Sequence, residues 1–233
     1  MADGEVCGDG FGVAWYSDES TGAATYRTDR PLWNDYTFPD FAGHVRSSCV
    51  IANVRAASRD VPASLTNTQP FTGGPLALVH NGELEDFHRS WLRDLRRELS
   101  ESREAAIAGA SDSEHLFALL SERAGARGSS ADDIVRAMGL TFAYLANRAE
   151  MRNKAAKVNL VVSNGSVLVA SRHALRVRAP SLYTLHGSGP GGAGTWIASE
   201  RLTDDDRWQE VPSSFLVVAD GRSAPRLLPI EPS

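Results

Sequence analysis

Three places in this sequence carry groups suited to work on a small polar ligand. The run Cys49 to Val54 reads as a buried strand that ends at Arg55. A charge there is costly unless it is paired. A guanidinium fork suits a carboxylate ligand, and a neighbouring acid would satisfy it equally. Asn81-Gly82 follows the apolar run Leu76 to Val79 and His80. An amide side chain beside a backbone N–H can stabilise a developing oxyanion. Asn-Gly after a strand is also a common turn, and a turn would expose both groups. Asp112 stands inside Ser111-Asp112-Ser113-Glu114, ahead of an apolar helical pattern. Ser-x-x-Glu there is a capping box, and an acid in the first turn favours the helix dipole. That accounts for these residues without a ligand, yet a rigid helix start is also a good place for a clamp.

The elements that must position these groups are legible from periodicity. Phe11 to Tyr16 reads as a strand ending in the turn-like Ser17-Asp18-Glu19-Ser20, with Ala24 to Arg27 as its hairpin partner. Pro39 to Val45 suits a short helix, and Ser58 to Gly74 reads as a polar loop. Three helices are expected next. Leu84 to Leu99 has Phe87, Trp91, Leu92, Leu95 and Leu99 near a 3.6 period, and Ser113 to Ala124 and Ala131 to Ala149 repeat the habit. Strands return at Val158 to Val162, Val167 to Ala170, Leu182 to Leu185, Trp196 to Ala198, Phe215 to Val218 and Arg226 to Pro229. The Gly-rich patch Gly187 to Gly194 reads as a flexible loop. It lacks the strand-to-helix setting of a phosphate loop. Strands, then helices, then strands indicate an α+β fold with two sheets and helices outside.

Length and composition fit a single domain over residues 1–233. The formal net charge of -5 gives no electrostatic footprint for nucleic acid or an anionic membrane. The Arg-dense stretch Arg89 to Arg103 is interleaved with acids and reads as a solvated helix face. No apolar stretch approaches the ~20 residues that span a bilayer. The N-terminus has no apolar signal core, so a reducing cytosol is the expected location. Two cysteines, Cys7 and Cys49, make neither a disulfide framework nor a four-ligand zinc site. Cys49 is expected to be an inert buried thiol. No metal or organic cofactor is indicated.

Four stretches, in order and at compatible separations, resemble the class II glutamine amidotransferases. They are Gly8-Asp9-Gly10-Phe11-Gly12-Val13-Ala14-Trp15-Tyr16, Val54-Arg55-Ala56-Ala57-Ser58, Val79-His80-Asn81-Gly82 and Ser111-Asp112-Ser113-Glu114. The tail is similar to one branch, through Trp196-Ile197-Ala198-Ser199-Glu200, Asp204-Asp205-Asp206 and Trp208-Gln209-Glu210-Val211-Pro212. That branch holds the ergothioneine-pathway γ-glutamyl hydrolases and the glutathione-degrading amidotransferases of fungi. The resemblance implies an αββα four-layer sandwich of the N-terminal-nucleophile type. It also implies hydrolysis of a γ-glutamyl amide through a cysteine thiolate whose own α-amine is the base. An α-amine of reference pKa ~7.7 to 8.0 can take a thiol proton near neutrality.

By the same resemblance, Asn81 and Gly82 form the oxyanion hole, Arg55 binds the glutamyl α-carboxylate and Asp112 its α-ammonium. Ser58 takes the place of a family threonine near the substrate, and His80 packs behind the site. Asp9 is expected to be structural, with glycines around it that allow close backbone approach. The branch commonly has His at the position of Gln69, which leaves that position without an implied role. His88 is expected at the surface. A small γ-glutamyl substrate is the implied ligand, and a synthase or peptidase the implied protein partner, unless the ammonia is simply released.

The family's nucleophile is the second encoded residue, and here that residue is Ala2. Only seven residues precede the Gly-Asp-Gly-Phe-Gly stretch, where the family has a first strand and helix. The expectation is therefore a true start upstream of Met1, with a Met-Cys, and a 233-residue chain that folds poorly and lacks amidase activity. The alternatives are a binding module that holds γ-glutamyl ligands without cleaving them, or a thiol supplied by Cys7. Cys7 has no free α-amine, and nothing in the sequence would lower its pKa.

Overall fold

Alternation along one strand sets the architecture. In Leu76–Leu84, Leu76 and Leu78 pack into a large cluster with helical residues. Ala77 and Val79 turn the other way, onto Ala14 and Ile51. A strand buried on both faces lies between two layers. The computed structural model describes residues 7–17, 21–56, 62–125, 130–189 and 192–231.

The strands are β1 Phe11–Trp15, β2 Ala24–Thr28, β3 Val50–Val54, β4 Phe71–Gly73, β5 Leu76–Leu84, β6 Ala156–Ser163, β7 Leu168–Arg172, β8 Ala174–Leu175, β9 Tyr183–Gly189, β10 Gly192–Ala198, β11 Gln209–Glu210, β12 Phe215–Ala219 and β13 Arg226–Pro229. The helices are α1 Phe38–His44, α2 Phe87–Ser90, α3 Leu92–Arg96, α4 Glu101–Ala105, α5 Asp112–Ala124 and α6 Ala131–Arg152. The central sheet runs β13-β12-β7-β6-β5-β4, with β8 also paired to β6. A second sheet runs β2-β1-β3, and a third β10-β9-β11. All the pairings among described residues are antiparallel.

Helices α5 and α6 cover one face of the central sheet. Leu116, Leu119, Leu120, Ile134, Met138, Phe142 and Leu145 are buried there with Leu160 and Val162 of β6. The sequence fixes their ends. Ser111 and Ser130 cap the N-termini by accepting from the N–H groups of Glu114 and Asp133 at 3.2 and 3.1 Å. Asn153 ends α6 in the left-handed conformation, with φ 52°. The β2-β1-β3 sheet covers the opposite face. Its outer side carries α1, through the ring pairs Phe11–Phe38, Trp15–Phe41 and Tyr26–Phe41 with centroids 4.7, 5.3 and 4.9 Å apart. Helix, sheet, sheet and helix make four layers, the expected α+β sandwich.

Three local expectations are corrected. The helix expected over 84–99 is two short ones. Leu84 belongs to β5, Asp86 takes a left-handed φ of 53°, and Trp91 leaves helical geometry between α2 and α3. The Trp91 ring is buried and its indole N–H donates to Glu85 O at 2.9 Å. A buried indole needs that partner, and reaching back to it interrupts the helix. The same stretch is not a purely solvated face. Asp94 is buried, and its carboxylate accepts from Arg152 of α6 at 2.7 Å. Finally, the described residues of the Gly187 to Gly194 patch are strands, 187–189 in β9 and 192–194 in β10, with Gly189 opposite Gly192. A Cβ on Gly189 would sit 2.1 Å from the Trp196 indole nitrogen, so glycine makes room for the ring.

Candidate functional site

The site is built on the far half of β5, past the point where β4 stops pairing with it. β4 pairs only with Leu76, Ala77 and Leu78. Beyond that, the Gln69 side chain replaces the missing strand. Its Oε1 accepts the His80 N–H at 2.5 Å, and its Nε2 donates to His80 O at 3.1 Å. Continuing the β4 register would place residue 69 opposite residue 80, so the carboxamide does there what a backbone would have done.

Backbone N–H groups alternate in direction along a strand. On β5 the His80 N–H points to the β4 side, whereas just past the strand's end the Glu85 N–H donates to Ala155 O, on the side of β6. The Leu84 N–H also points to the β4 side and donates to Asp112 Oδ2 at 2.9 Å. Gly82 lies between His80 and Leu84 with the same parity. Its N–H is therefore directed to the same edge, flanked by one donor satisfied by Gln69 and another satisfied by Asp112. Gly82 has no room for a side chain, since a Cβ would lie 2.0 Å from Lys157 O.

Asn81 has the opposite parity. Its side chain shares a face with Ala77 and Val79, toward the β2-β1-β3 sheet, and it is exposed. Among the described residues no hydrogen bond engages its amide. Asn-Gly is thus not a turn, because β5 runs through it to Leu84. Both groups are presented by an extended strand whose edge has lost its partner.

His80 is buried on the helix side. Its Nδ1 lies 2.9 Å from Ser113 Oγ and its Nε2 2.9 Å from Lys157 O. The ring thus ties the strand to the first turn of α5. Asp112 occupies that turn. Its Oδ1 accepts from the Ser113 N–H at 2.7 Å, while Oδ2 holds Leu84. Half of the expected capping box forms. Ser111 caps Glu114, but the Glu114 carboxylate accepts from Ala108 and Gly109 N–H at 2.8 and 2.7 Å.

Arg55 enters from β3. Its backbone pairs with the segment before β1, the Arg55 N–H donating to Gly10 O at 2.8 Å and the Asp9 N–H to Arg55 O at 3.0 Å. The side chain is buried, with both terminal nitrogens 3.4 Å from Pro62 O. Burial lowers the guanidinium pKa from its ordinary value, while the charges of Asp9 and Asp112 favour the protonated form. An arginine remains charged under such a shift. Pro62 O also accepts from Asn67 Nδ2 at 3.2 Å, and Asn67 Oδ1 accepts the Ala110 N–H at 2.9 Å. The loop thereby links the arginine to the chain two residues before Asp112. The guanidinium is within electrostatic reach of Asp112, which holds Leu84 two residues beyond Gly82, so these groups lie toward one end of the two sheets. Ser58 lies outside the described residues.

The thiols stand apart from each other. Cys49 precedes β3 at its opposite end, buried, with Sγ 3.1 Å from Ser163 Oγ. Burial raises its pKa above the usual thiol value. Cys7 is half-buried two residues before Asp9. Among the described residues no group of acids, histidines or cysteines has metal-binding spacing, and no helix is long and apolar enough to cross a membrane.

The four-layer fold is that of a class II amidotransferase domain. The chain belongs to the class II glutamine amidotransferases, whose family model matches residues 2–185. It is 30% identical over 209 residues to the gamma-glutamyl-hercynylcysteine sulfoxide hydrolase of Mycolicibacterium smegmatis, covering 90% of this chain and 76% of that protein. It is also 30% identical to the probable glutamine amidotransferase DUG3 of Saccharomyces cerevisiae, over 88% of this chain and 62% of that one. A glutamine aminotransferase class-II domain protein from Silicibacter pomeroyi superposes with a TM-score of 0.74 at 22% identity, covering 95% of this chain and 92% of that one. That likeness concerns the fold.

Sequence reasoning missed Gln69, Asn67 and the Glu114 contacts. Asn67-x-x-Pro70 is visible as a motif, but its side-chain bonds to distant backbone have no periodic signature.

Proposed function

We propose that the protein hydrolyses a γ-glutamyl amide through a thioester. The carrying observation is the convergence of Arg55, Asp112, Asn81 and Gly82, from three separate segments, at one end of the sandwich. In this reading Arg55 binds the substrate α-carboxylate as a fork. Asp112 binds the α-ammonium with the lone-pair capacity left after its two backbone N–H bonds. A cysteine thiolate adds to the γ-carbonyl carbon, and the carbonyl π electrons move to oxygen. The Gly82 N–H and the Asn81 amide donate to that oxyanion, each worth about 2.7 to 4 kcal/mol in comparable sites. Collapse of the adduct breaks the C–N bond, and the leaving amine takes a proton from the nucleophile's α-ammonium. Water then hydrolyses the thioester to glutamate and free thiol. His80 and Gln69 hold the strand that carries the donors.

The two thiols of the sequence support a second reading. Cys7 is internal and lacks a free α-amine, and Cys49 is buried at the far end of β3. A form without an N-terminal cysteine would hold γ-glutamyl ligands without cleaving them. The clamp is common to both readings, so ligand binding tests it directly. Titration calorimetry with L-glutamate is expected to give a heat that Arg55→Ala abolishes. No heat from the folded wild-type protein would end both readings. Turnover by the 233-residue chain itself would end the second.

A further inference from the structure

The first turn of α5 holds a hydroxyl that the reaction as described does not use. Ser113 is buried, and its Oγ is within hydrogen-bond reach of side chains from three segments. Gln69 Nε2 is 3.3 Å away, His80 Nδ1 2.9 Å and Asp112 Oδ1 3.2 Å. A hydroxyl accepts through two lone pairs but has a single proton to give. The partners fix where that proton can go.

Gln69 is a donor to Ser113. Its Oε1 accepts the His80 N–H, so the amide nitrogen is the end that faces the serine. The His80 Nε2 is 2.9 Å from Lys157 O, which can only accept, so Nε2 carries a ring proton. In the neutral ring Nδ1 is then an acceptor, and the Ser113 hydroxyl is the donor in reach. Both residues are buried, where an unmet acceptor costs about 1–3 kcal/mol. Asp112 Oδ1 competes for the same proton from the longer distance, and its negative charge strengthens that pull. The ring in turn underlies Gly82, since a Cβ there would be 2.8 Å from His80 Nε2.

We propose that Ser113 is a positioning residue that couples the ammonium clamp to the strand of oxyanion donors. The coupling rests on the clamp reading above. Before a ligand binds, the Ser113 proton is divided between the Asp112 carboxylate and the His80 ring. An ammonium at Asp112 offsets the carboxylate charge, and the proton passes to Nδ1. The ring is then held at both nitrogens, between α5 and Lys157 O, with Gly82 against it. Binding of the amino-acid end thereby steadies the backbone that must meet the reacting carbonyl.

Nitrogen-15 NMR of the histidine rings in the full chain at pH 8 tests this, with His80 assigned from the spectrum of His80→Gln. The wild type is expected to carry the His80 proton on Nε2. L-Glutamate is expected to shift its Nδ1 signal, and glutarate, which lacks the ammonium, is not. Ser113→Ala is expected to abolish the glutamate response and to weaken glutamate binding by calorimetry about fivefold, the worth of one hydrogen bond. Ser113→Thr keeps the hydroxyl and is expected to retain both the response and the affinity. A ring with its proton on Nδ1, or an equal response in Ser113→Ala, would overturn the coupling and leave the clamp standing. Should Ser113→Ala fail to fold, the wild-type spectra still decide, because equal shifts with glutamate and glutarate would overturn it. If the wild type binds no glutamate, the clamp has failed and the coupling with it.

Discussion

Asp112 Oδ2 accepts the Leu84 N–H at 2.9 Å, so the residue proposed to hold the substrate ammonium also joins helix α5 to strand β5. The two duties separate by substitution. Asp112→Asn retains a carbonyl oxygen for Leu84 and loses the charge. Its stability should stay within about 1 kcal/mol of wild type, because a neutral hydrogen bond replaces a charge-assisted one. Glutamate affinity should fall at least tenfold. Asp112→Ala should lose both, with about 1–3 kcal/mol of stability lost as the Leu84 donor is left unmet. Urea melts beside calorimetry give both numbers, and an Asn variant that still binds glutamate normally would reduce Asp112 to a structural role.

Gly82 has no space for even one methyl group. Gly82→Ala would drive a Cβ into the Lys157 carbonyl, 2.0 Å away, where backbone must move. Overpacking of this kind costs typically about 1–3 kcal/mol. The chemical-denaturation midpoint should drop accordingly, and glutamate affinity should change far less than with Arg55→Ala, because the glycine faces the reacting carbonyl rather than the amino-acid end.

The thiols should differ in reactivity. Cys49 is buried and its pKa is raised, so little thiolate is present near neutrality and access is poor. Alkylation of native protein at pH 8, followed by peptide mapping, is expected to modify Cys7 first and Cys49 only upon unfolding. Fast native labelling of Cys49 would contradict its placement between the sheets.

Stability should fall as the solution is acidified below neutrality. His115 and His173 are buried, and burial holds both below the ordinary imidazole pKa. At His115 the geometry agrees, since Nε2 accepts from Arg96 Nε at 3.2 Å and so carries no proton. The folded chain then refuses protons that the unfolded chain accepts near pH ~6.5. The contribution is present above that pH and is lost as pH falls through it toward the folded-state values, by up to about 1.4 kcal/mol per pH unit for each histidine. Denaturation midpoints between pH 7.5 and 5.5 test this, and a flat profile would contradict it.

How much of this was legible in the sequence depended on the range of the interaction. The buried strand at the start of β5, the serine cap of α5 and the hairpin of β1 and β2 follow from local pattern, and all are present. Arg55, Asn81, Gly82 and Asp112 were identified by family resemblance, and the fold brings them together. Local pattern failed where a distant group overruled it. Trp91 breaks a helical period to reach Glu85. Asn81-Gly82 has turn composition, yet β6 holds it extended across the register from Lys157 to Asn159. Gly187 to Gly194 has loop composition, yet Gly189 clears space for Trp196 in a strand pair.

Finally, the early end of β4 has a meaning of its own. A sheet completes itself by neighbour satisfying neighbour, and here that process stops one row short, with a single carboxamide closing the gap at His80. Were β4 to continue by a few more residues, the fold would gain conventional hydrogen bonds and the Gly82 donor would be occupied by its own chain. Receptiveness to a ligand at this spot is therefore an unfinished seam in the weave, and any change that mends the seam silences it.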